Sequence, residues 1–479
     1  MLRLVCGLAP LVVFAQIPLD WQGALNRVTA GSLRGRVSFI ASDLLEGRDT
    51  PSRGLDIAAA YIASEFRRAG LEPAGNNEYF HDTERKFQRP NPDGAEFRYR
   101  IGRKTTALPP SAVIAYNRDE LDFKGFPATV VRLGDKNTQW EPLRNRILIA
   151  SVPAEWNSTE NLMKGGGADL FDQIKKMAEA KPALVVLADS AGVVSQFVRR
   201  STGRLMLLTA PEAIEELRAL APGTNVDIWA KAKPMVEETL PLRNVAGLLR
   251  GSDPALRDTY VIVSGHYDHE GILPSSTGDR IMNGANDDAS GSMAVVELAG
   301  ALASLPVRPK RSIVFLTVAG EEKGLLGSKA WVDAPPLPLK QTVANLNLEH
   351  LGRTDMDGGD STGKANVTGF DFSDIGERVA HAGKESGIEV TRHAQYSARF
   401  FNQSDNVSFA RVGIPAHTIS VGYLFPEYHT VRDHWDRLHY DNYARTVRMV
   451  GLALLEISDD VKAPQWAEIP ETEKYRKHD

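Results

Sequence analysis

The 479-residue sequence contains a single cysteine, Cys6, and this scarcity excludes disulfide and thiolate chemistry from most of the chain. Cys6 lies in an apolar stretch, Leu4 to Phe14, which follows Arg3 and ends at small residues around Ala15, as in a secretory signal peptide. We expect residues 1–15 to be this signal; a buried N-terminal strand is the alternative. A secreted chain without disulfides favours a periplasmic or extracellular location.

Excess positive charge and long apolar runs are also absent. The chain carries 56 Lys and Arg against 61 Asp and Glu, a formal net charge of −5. This balance provides no basic surface for nucleic acid or an anionic membrane. No stretch beyond the signal is long and apolar enough to be transmembrane. We therefore expect no nucleic-acid partner and no membrane contact after signal cleavage, and the oligomeric state is left open.

The order of apolar runs predicts an α/β protein with an insertion. From about residue 240, strand-like runs alternate with amphipathic helices, which predicts a mixed, mainly parallel sheet with helices on both faces. Residues 113–235 hold shorter strand-like runs and indicate a small inserted α/β domain, and the proline-containing residues 84–112 are interpreted as a linker. The expected divisions are signal peptide 1–15, N-terminal part of the main domain 16–112, insertion 113–235, remainder of the main domain 236–465 and polar tail 466–479.

Short acidic and histidine motifs follow several predicted strands. They are Gly265-His266-Tyr267-Asp268, Gly284-Ala285-Asn286-Asp287-Asp288-Ala289-Ser290-Gly291, Ala319-Gly320-Glu321-Glu322-Lys323-Gly324-Leu325 and Tyr428-His429-Thr430. In open α/β sheets the carboxyl ends of neighbouring strands converge on one crevice. Imidazole and carboxylate groups are zinc ligands, and two zinc ions need a bridging carboxylate. Together the motifs predict a two-zinc hydrolase.

The first motif also has a purely structural interpretation. A lone histidine at a strand end, such as His266, is more often structural than a metal ligand. Asp268 points the same way in an extended chain and could fix the tautomer of that imidazole. It could equally be a turn residue.

The acidic pairs have alternatives of the same kind. Asp287 could cap the following helix, but Asp288 or Ser290 would do so equally well and leave one carboxylate for a metal. Glu321 and Glu322 could be solvated residues at a helix start, where the helix dipole favours them. Alternatively, one of the two binds metal while its neighbour acts as general base.

With Leu44–Arg48 and Phe66–Pro73 upstream, these motifs resemble the di-zinc exopeptidase family of bacterial leucyl aminopeptidases and plasma glutamate carboxypeptidase, peptidase family M28. The resemblance implies a phosphorylase/hydrolase-like zinc exopeptidase fold, and the insertion resembles, more weakly, a protease-associated domain. It implies hydrolysis of peptides, with an aminopeptidase as the expected activity. A dipeptidase, a carboxypeptidase or a one-zinc cyclase on the same scaffold, or a metal-free binding protein, are the alternatives.

The resemblance also implies two zinc ions and a role for each motif. Glu321 would be the general base, and Asp268 would orient the first histidine ligand. The implied zinc ligands are His266 and Glu349 at the first ion, Asp287 between the two ions, and Glu322 and His429 at the second ion.

Two positions depart from the pattern of the family. Glu349 stands where the family has an aspartate ligand, and we expect it to ligate through a different rotamer. The next residue, His350, should point to the opposite face if the strand continues. Asn406 replaces the family's usual histidine after Ser-Asp, and the resemblance assigns no role to His269.

Overall fold

The computed structural model describes residues 17–476, apart from residue 136 and the segments 153–166, 189–197, 199–201, 274–277, 355–361 and 394–395. The predicted signal peptide therefore lies outside the described residues. Within the described part of the chain, every helix is too short or too polar to cross a membrane.

The described strands form a main sheet, a second sheet and a short ribbon. The main sheet contains β1 (Glu72–Pro73), β2 (Phe80–Arg89), β11 (Val236–Leu249), β12 (Tyr260–His266), β15 (Ser312–Val318), β16 (Thr342–Leu348), β17 (Lys364–Val367), β18 (Glu389–Thr391) and β19 (Ala416–Ser420). The second sheet contains β3 (Ala95–Ile101), β4 (Lys104–Leu108), β5 (Val113–Asn117), β6 (Leu121–Arg132), β7 (Ile147–Ser151), β8 (Leu184–Ala188), β9 (Arg204–Leu208) and β10 (Asn225–Ala232). The ribbon pairs β13 (Gly271–Ile272) with β14 (Ile281–Met282).

Helices cover the main sheet and flank the second. The described α-helices are Leu19–Leu25, Ala30–Ile40, Arg53–Arg68, Gly167–Glu179, Pro211–Arg218, Ser290–Ala303, Leu326–Asp333, Ile375–Ser386, Ser397–Phe400, Asn406–Ala410, Tyr440–Asp459 and Glu473–Arg476. The helix at Arg53–Arg68 begins where the Ser52 hydroxyl accepts the N–H of Leu55.

The centre of the main sheet is parallel, which confirms the predicted fold class. β15, β12, β16 and β19 lie side by side in parallel register, while β11 pairs antiparallel with β15 and β17 antiparallel with β19. Because parallel strands end at the same edge, the residues that follow β12, β15 and β16 are brought together there.

Both faces of the main sheet are apolar and buried. Val261 and Val263 of β12 belong to the core under the helices Arg53–Arg68, Ser290–Ala303 and Tyr440–Asp459. Their neighbours Tyr260 and Ile262 pack on the opposite face in a separate cluster. Burial on both faces accounts for strands that are apolar throughout rather than alternating.

The second sheet begins before the predicted insertion boundary at residue 113. Residues 95–108 form β3 and β4, so the interpretation of residues 84–112 as a linker is wrong. Alternate residues of β3 are buried and exposed, and the exposed polar half gave the segment its linker-like composition. Ala95 of β3 pairs with Ala232 of β10, close to the long antiparallel pair of β2 and β11. We propose that the inserted unit spans about residues 95–232.

Candidate metal centre

Side chains from five separate segments meet at the carboxyl edge of the main sheet. His266 ends β12, and Asp287 lies in the loop that leads into the helix Ser290–Ala303. Glu322 and Glu349 follow β15 and β16, and His429 follows β19. All are buried except Glu349, whose side chain is 16% exposed. The predicted ligands are thus drawn together although they are far apart in the sequence.

The two oxygens of Asp287 face different histidines. Oδ1 lies 3.2 Å from Nε2 of His266 and 3.5 Å from Nε2 of His350. Oδ2 lies 2.9 Å from Nε2 of His429 and 3.9 Å from Nδ1 of His269. A carboxylate in this orientation can bind a separate cation through each oxygen.

These contacts define two groups of donors, named here by the oxygen of Asp287 that each contains. The Oδ1 set adds His266, Glu349 and His350, and Oε1 of Glu349 lies 3.5 Å from Nε2 of His266. The Oδ2 set adds His269, Glu322 and His429. Its four ligand atoms lie within 4.8 Å of one another.

Several of the nitrogen and oxygen atoms that could bind metal in these two sets are buried without a hydrogen-bond partner. They are Nε2 of His266, both ring nitrogens of His269 and His429, Oδ2 of Asp287 and Oε1 of Glu322. An unsatisfied buried polar atom ordinarily costs about 1–3 kcal/mol, so such a concentration is unusual in a folded protein. Imidazole nitrogens and carboxylate oxygens that converge in this way fit divalent metal ions such as zinc.

Electrostatics separate the two neighbouring glutamates. Burial raises the pKa of Glu321 well above its usual value, and the negative charge of Glu322 adds to the effect. Burial alone would also raise the pKa of Glu322, but His429 and His269 hold it well below its usual range. Glu321 is therefore suited to take up a proton, whereas Glu322 stays an anionic ligand.

Asp268 connects the first histidine to the glutamate pair. Its Oδ1 accepts the N–H of Glu321 at 3.1 Å, and its Oδ2 accepts the N–H of Glu322 at 3.4 Å. Oδ1 also lies 3.6 Å from Nδ1 of His266, while that nitrogen is 3.2 Å from the backbone oxygen of Asp268. Asp268 thus contacts both a ligand and the segment that carries Glu321.

Asp287 and Asp288 have different contacts, which is one of the alternatives that the sequence left open. Oδ1 of Asp288 accepts the N–H of Gly291 at 2.8 Å and caps the following helix, which leaves the carboxylate of Asp287 free. Asp433 was missed by the sequence interpretation. Its carboxylate accepts the N–H groups of Asn286 and Asp287 at 2.9–3.0 Å and holds the loop in place. Its position four residues after His429 was the available signal.

The prediction that the side chain of His350 points to the opposite face of the strand is wrong. β16 ends at Leu348, and His350 has a positive φ of 54°, so the alternation of a strand no longer applies. The ring of His350 packs against Tyr428 and turns toward Asp287. His269 was likewise missed, although it directly follows Asp268.

A pocket opens beside these residues. It is lined by the carboxylates of Asp287, Glu321, Glu322 and Glu349, by His350, by polar side chains including Gln403, Ser404, Thr368, Thr418 and Ser420, and by Phe400, Tyr423, Leu424 and Tyr428. Among these described lining residues there is no lysine or arginine. Asn406 is structural, because its side chain donates to the backbone oxygen of Phe401 and accepts from the hydroxyl of Thr418.

Comparison with known proteins identifies the family of this part of the chain. Residues 244–454 match the family model described as Peptidase family M28. These residues form a peptidase family M28 domain. It contains β12, β15, β16 and β19 and every predicted ligand.

The relatives of this chain differ in name and in the length that they share with it. The Bacillus subtilis protein "Aminopeptidase YwaD" is 27% identical over 43% of this chain and 42% of its own length. The Zea mays protein "Probable glutamate carboxypeptidase VP8" is 26% identical over 47% of this chain and 31% of its own length. The chain thus spans less than half of each of these curated relatives. The solved structure "Aminopeptidase from Aneurinibacillus sp. strain AM-1" shares the fold, with a TM-score of 0.57 at 19% identity, over 91% of this chain and 95% of that one.

Proposed function

We propose that this protein is a zinc-dependent aminopeptidase that removes N-terminal residues from peptides and uses two zinc ions. The observation that carries the proposal is the position of Asp287, whose two oxygens face separate sets of unsatisfied buried donors. The M28 domain and a relative named as an aminopeptidase support the same reaction class.

The proposed roles follow the two donor sets. His266 and Glu349 would bind the first zinc, Asp287 both ions, and Glu322 and His429 the second. Bound there, zinc would acidify a water molecule and polarise the scissile carbonyl. The residues of the chain then need only position the peptide and move protons.

Glu321 is the proposed general base. Its carboxylate lines the pocket next to the proposed ligand Glu322, where it can take a proton from the attacking water. The same carboxyl group then delivers the proton to the leaving amine. Asp268 fixes the backbone from which Glu321 projects, because it accepts that residue's N–H.

The lining of the pocket favours an aminopeptidase over a carboxypeptidase. A terminal carboxylate needs a cation such as arginine, and none is among the described residues that line the pocket. A terminal ammonium group needs carboxylate acceptors, which Glu349 and Glu321 provide. The aromatic rings of Phe400 and Tyr423 stack 5.2 Å apart on the same wall and would contact an apolar side chain.

We also propose that the protein acts outside the cytoplasm, in the periplasm or in the surrounding medium. The support is the charged, apolar and small-residue order of residues 1–15 and the lack of cysteine beyond them. Peptides in that compartment would be its substrates.

Substitution Glu321→Gln tests the proposed chemistry. It removes the base while keeping the shape of the side chain, so we expect kcat to fall by about 10²–10⁴-fold. Zinc content, measured by mass spectrometry on the purified protein, should be unchanged. The substrates would be a peptide with a free N-terminus and an amidated C-terminus, and its N-acetylated counterpart with a free C-terminus.

The matched control is Glu389→Gln, at an exposed position of strand β18, which should leave kcat unchanged. Cleavage of the amidated peptide alone supports an aminopeptidase. Cleavage of the acetylated peptide alone would reassign the protein as a carboxypeptidase. Near-normal turnover by the Glu321→Gln variant would show that Glu321 is not the general base.

A further inference from the structure

His269 is a buried histidine that neither the motifs nor the proposed mechanism uses. It lies three residues after the end of β12, is fully buried, and has no hydrogen-bond partner on either ring nitrogen. Its Nδ1 lies 3.0 Å from Oε1 of Glu322, yet these two atoms are not aligned as a hydrogen bond. A ring nitrogen and a carboxylate oxygen that lie this close without forming a hydrogen bond are typical of two ligands that face a shared cation.

The other fully buried histidines away from the site behave differently. In His417, Nδ1 lies 2.7 Å from the backbone oxygen of Thr368 and Nε2 lies 2.6 Å from the hydroxyl of Ser373. In His81, Nε2 lies 2.9 Å from the backbone oxygen of Ala334. Structural histidines in this protein are thus satisfied by neighbours, as buried polar groups ordinarily are. His269 lacks this bonding.

The spacing of the Oδ2 set matches one metal ion. Tetrahedral ligands at zinc bond lengths of about 2.1 Å are separated from one another by roughly 3.4 Å. Nδ1 of His269 lies 3.0 Å from Glu322 and 3.9 Å from Asp287. Nε2 of His429 lies 3.4 Å and 2.9 Å from the same two carboxylates. These are four of the six separations within the set, and they average close to the tetrahedral value; all four ligand atoms lie within 4.8 Å of one another.

The ring of His269 is held rigidly in this place. A Cβ atom on Gly284 would lie only 2.4 Å from its Cγ, so the ring packs directly on that glycine, whose φ is +57°. Its backbone N–H donates to the oxygen of Arg48 at 3.2 Å. The guanidinium of Arg48 in turn donates to the backbone oxygens of Tyr267 and Gly284 at 2.8 and 2.9 Å, which ties the His269 segment to the loop of Asp287.

We propose that His269 is a further protein ligand, through Nδ1, of the second metal ion, an inference that rests on the proposed zinc-dependent function. The second ion would then have four protein ligands, His269, Asp287, Glu322 and His429. Structural zinc sites use four protein ligands, whereas catalytic sites keep a position open. With His266, Asp287 and Glu349 as its three proposed ligands, the first ion is the one with room for water and substrate, and we expect the second ion to be the more tightly held.

The test measures zinc binding by the full-length protein after removal of metal with a chelator, using competition against a chromophoric chelator. We expect wild-type protein to bind one zinc ion more tightly than the other. His269→Ala should weaken the tighter site by at least about 100-fold, because even the loss of a residue that merely orients a ligand costs 10–100-fold. His417→Ala is the matched control, a buried histidine whose loss should lower thermal stability but leave both affinities unchanged.

Two further variants separate ligation from an ion pair with Glu322. In His269→Asp an oxygen replaces Nδ1 at the same distance from the backbone, so ligation predicts recovery of much of the lost affinity. An imidazolium that only donates to Glu322 predicts the opposite order, with His269→Asn binding zinc better than His269→Asp, and this order would overturn the proposal. Unchanged affinity in His269→Ala would also overturn it and leave the aminopeptidase function standing. Failure of the wild-type protein to bind zinc would overturn both.

Discussion

The two sides of Asp287 differ in burial and in access. In the Oδ2 set, His269, Glu322 and His429 are each at most 6% exposed. In the Oδ1 set, Glu349 has a side chain that is 16% exposed, and both it and His350 line the pocket. Neither His269 nor His429 lines it. Glu322 of the Oδ2 set also lines the pocket and His266 of the Oδ1 set does not. The two histidines of the Oδ2 set are thus enclosed by protein, while Glu349 and His350 face the space that a peptide would enter.

This difference gives the two donor sets different tasks. An enclosed set of matched donors retains a metal ion, since rigid ligands lose little entropy on binding. A set beside a pocket can share its ion with water and substrate. Asp287 couples the two, and its neighbours Asp288 and Asp433 fix the loop so that each oxygen keeps its side.

Substitution of Asp287, the residue shared by both donor sets, should have the largest effect on zinc binding and activity. Asp287→Asn removes the charge that both donor sets use, so we expect weaker zinc binding at both sites. Activity should fall by more than the roughly 10²–10³-fold that loss of one electrostatic donor costs. Zinc stoichiometry after dialysis and kcat/KM on the amidated peptide are the measurements.

The matched control is the adjacent Asp288→Asn. Because the carboxylate of Asp288 accepts the backbone N–H groups of Gly291 and His350 rather than pairing with an imidazole ring, this variant should keep its two zinc ions. If Asp287→Asn lost only one ion while the other stayed bound with wild-type affinity, Asp287 would not be the shared ligand.

The fold could be predicted because its signals are local. The strands β12, β15, β16 and β19 are short apolar runs separated by helices, and this order is what predicted the mainly parallel sheet. The failure at residues 84–112 has a physical cause. β3 exposes alternate polar residues, and the prolines lie in the turns beside β3 and β4, so the composition resembles a linker. β3 and β4 form a local hairpin, whereas the pairing of β3 with β10 is long-range.

The predicted ligands came from motifs, whereas His269 and His350 depend on backbone geometry. The side chain of His350 faces Asp287 only because its positive φ turns the chain after β16. His269 faces Glu322 because the segment after β12 is tied to the loop of Asp287 through Arg48. Neither of these backbone geometries produces a periodic pattern in the sequence, so neither could be predicted from it. The role of every side chain in the site stays a prediction until the variants are measured.

Glu349→Gln should weaken zinc binding at the first site only. It removes the charge of a proposed direct ligand in the Oδ1 set, so we expect the weaker zinc site to lose at least about 100-fold in affinity while the tighter site is unchanged. Glu349→Asp, which restores the shorter carboxylate usual in the family, should stay within about tenfold of wild type. Equal losses at both sites would contradict the division of the two donor sets.

The smallest effect is expected from Asp268→Asn, which touches the Oδ1 set only through His266. The amide can still accept one N–H from Glu321 or Glu322, but it removes the negative charge 3.6 Å from Nδ1 of His266. We expect a loss of about tenfold in zinc affinity at the first site, at the low end for a residue that orients a ligand. Titration of both sites by competition with a chromophoric chelator would measure it. A larger loss at the second site would mean that Asp268 acts mainly through the backbone of Glu322, and the orienting role given to it would be wrong.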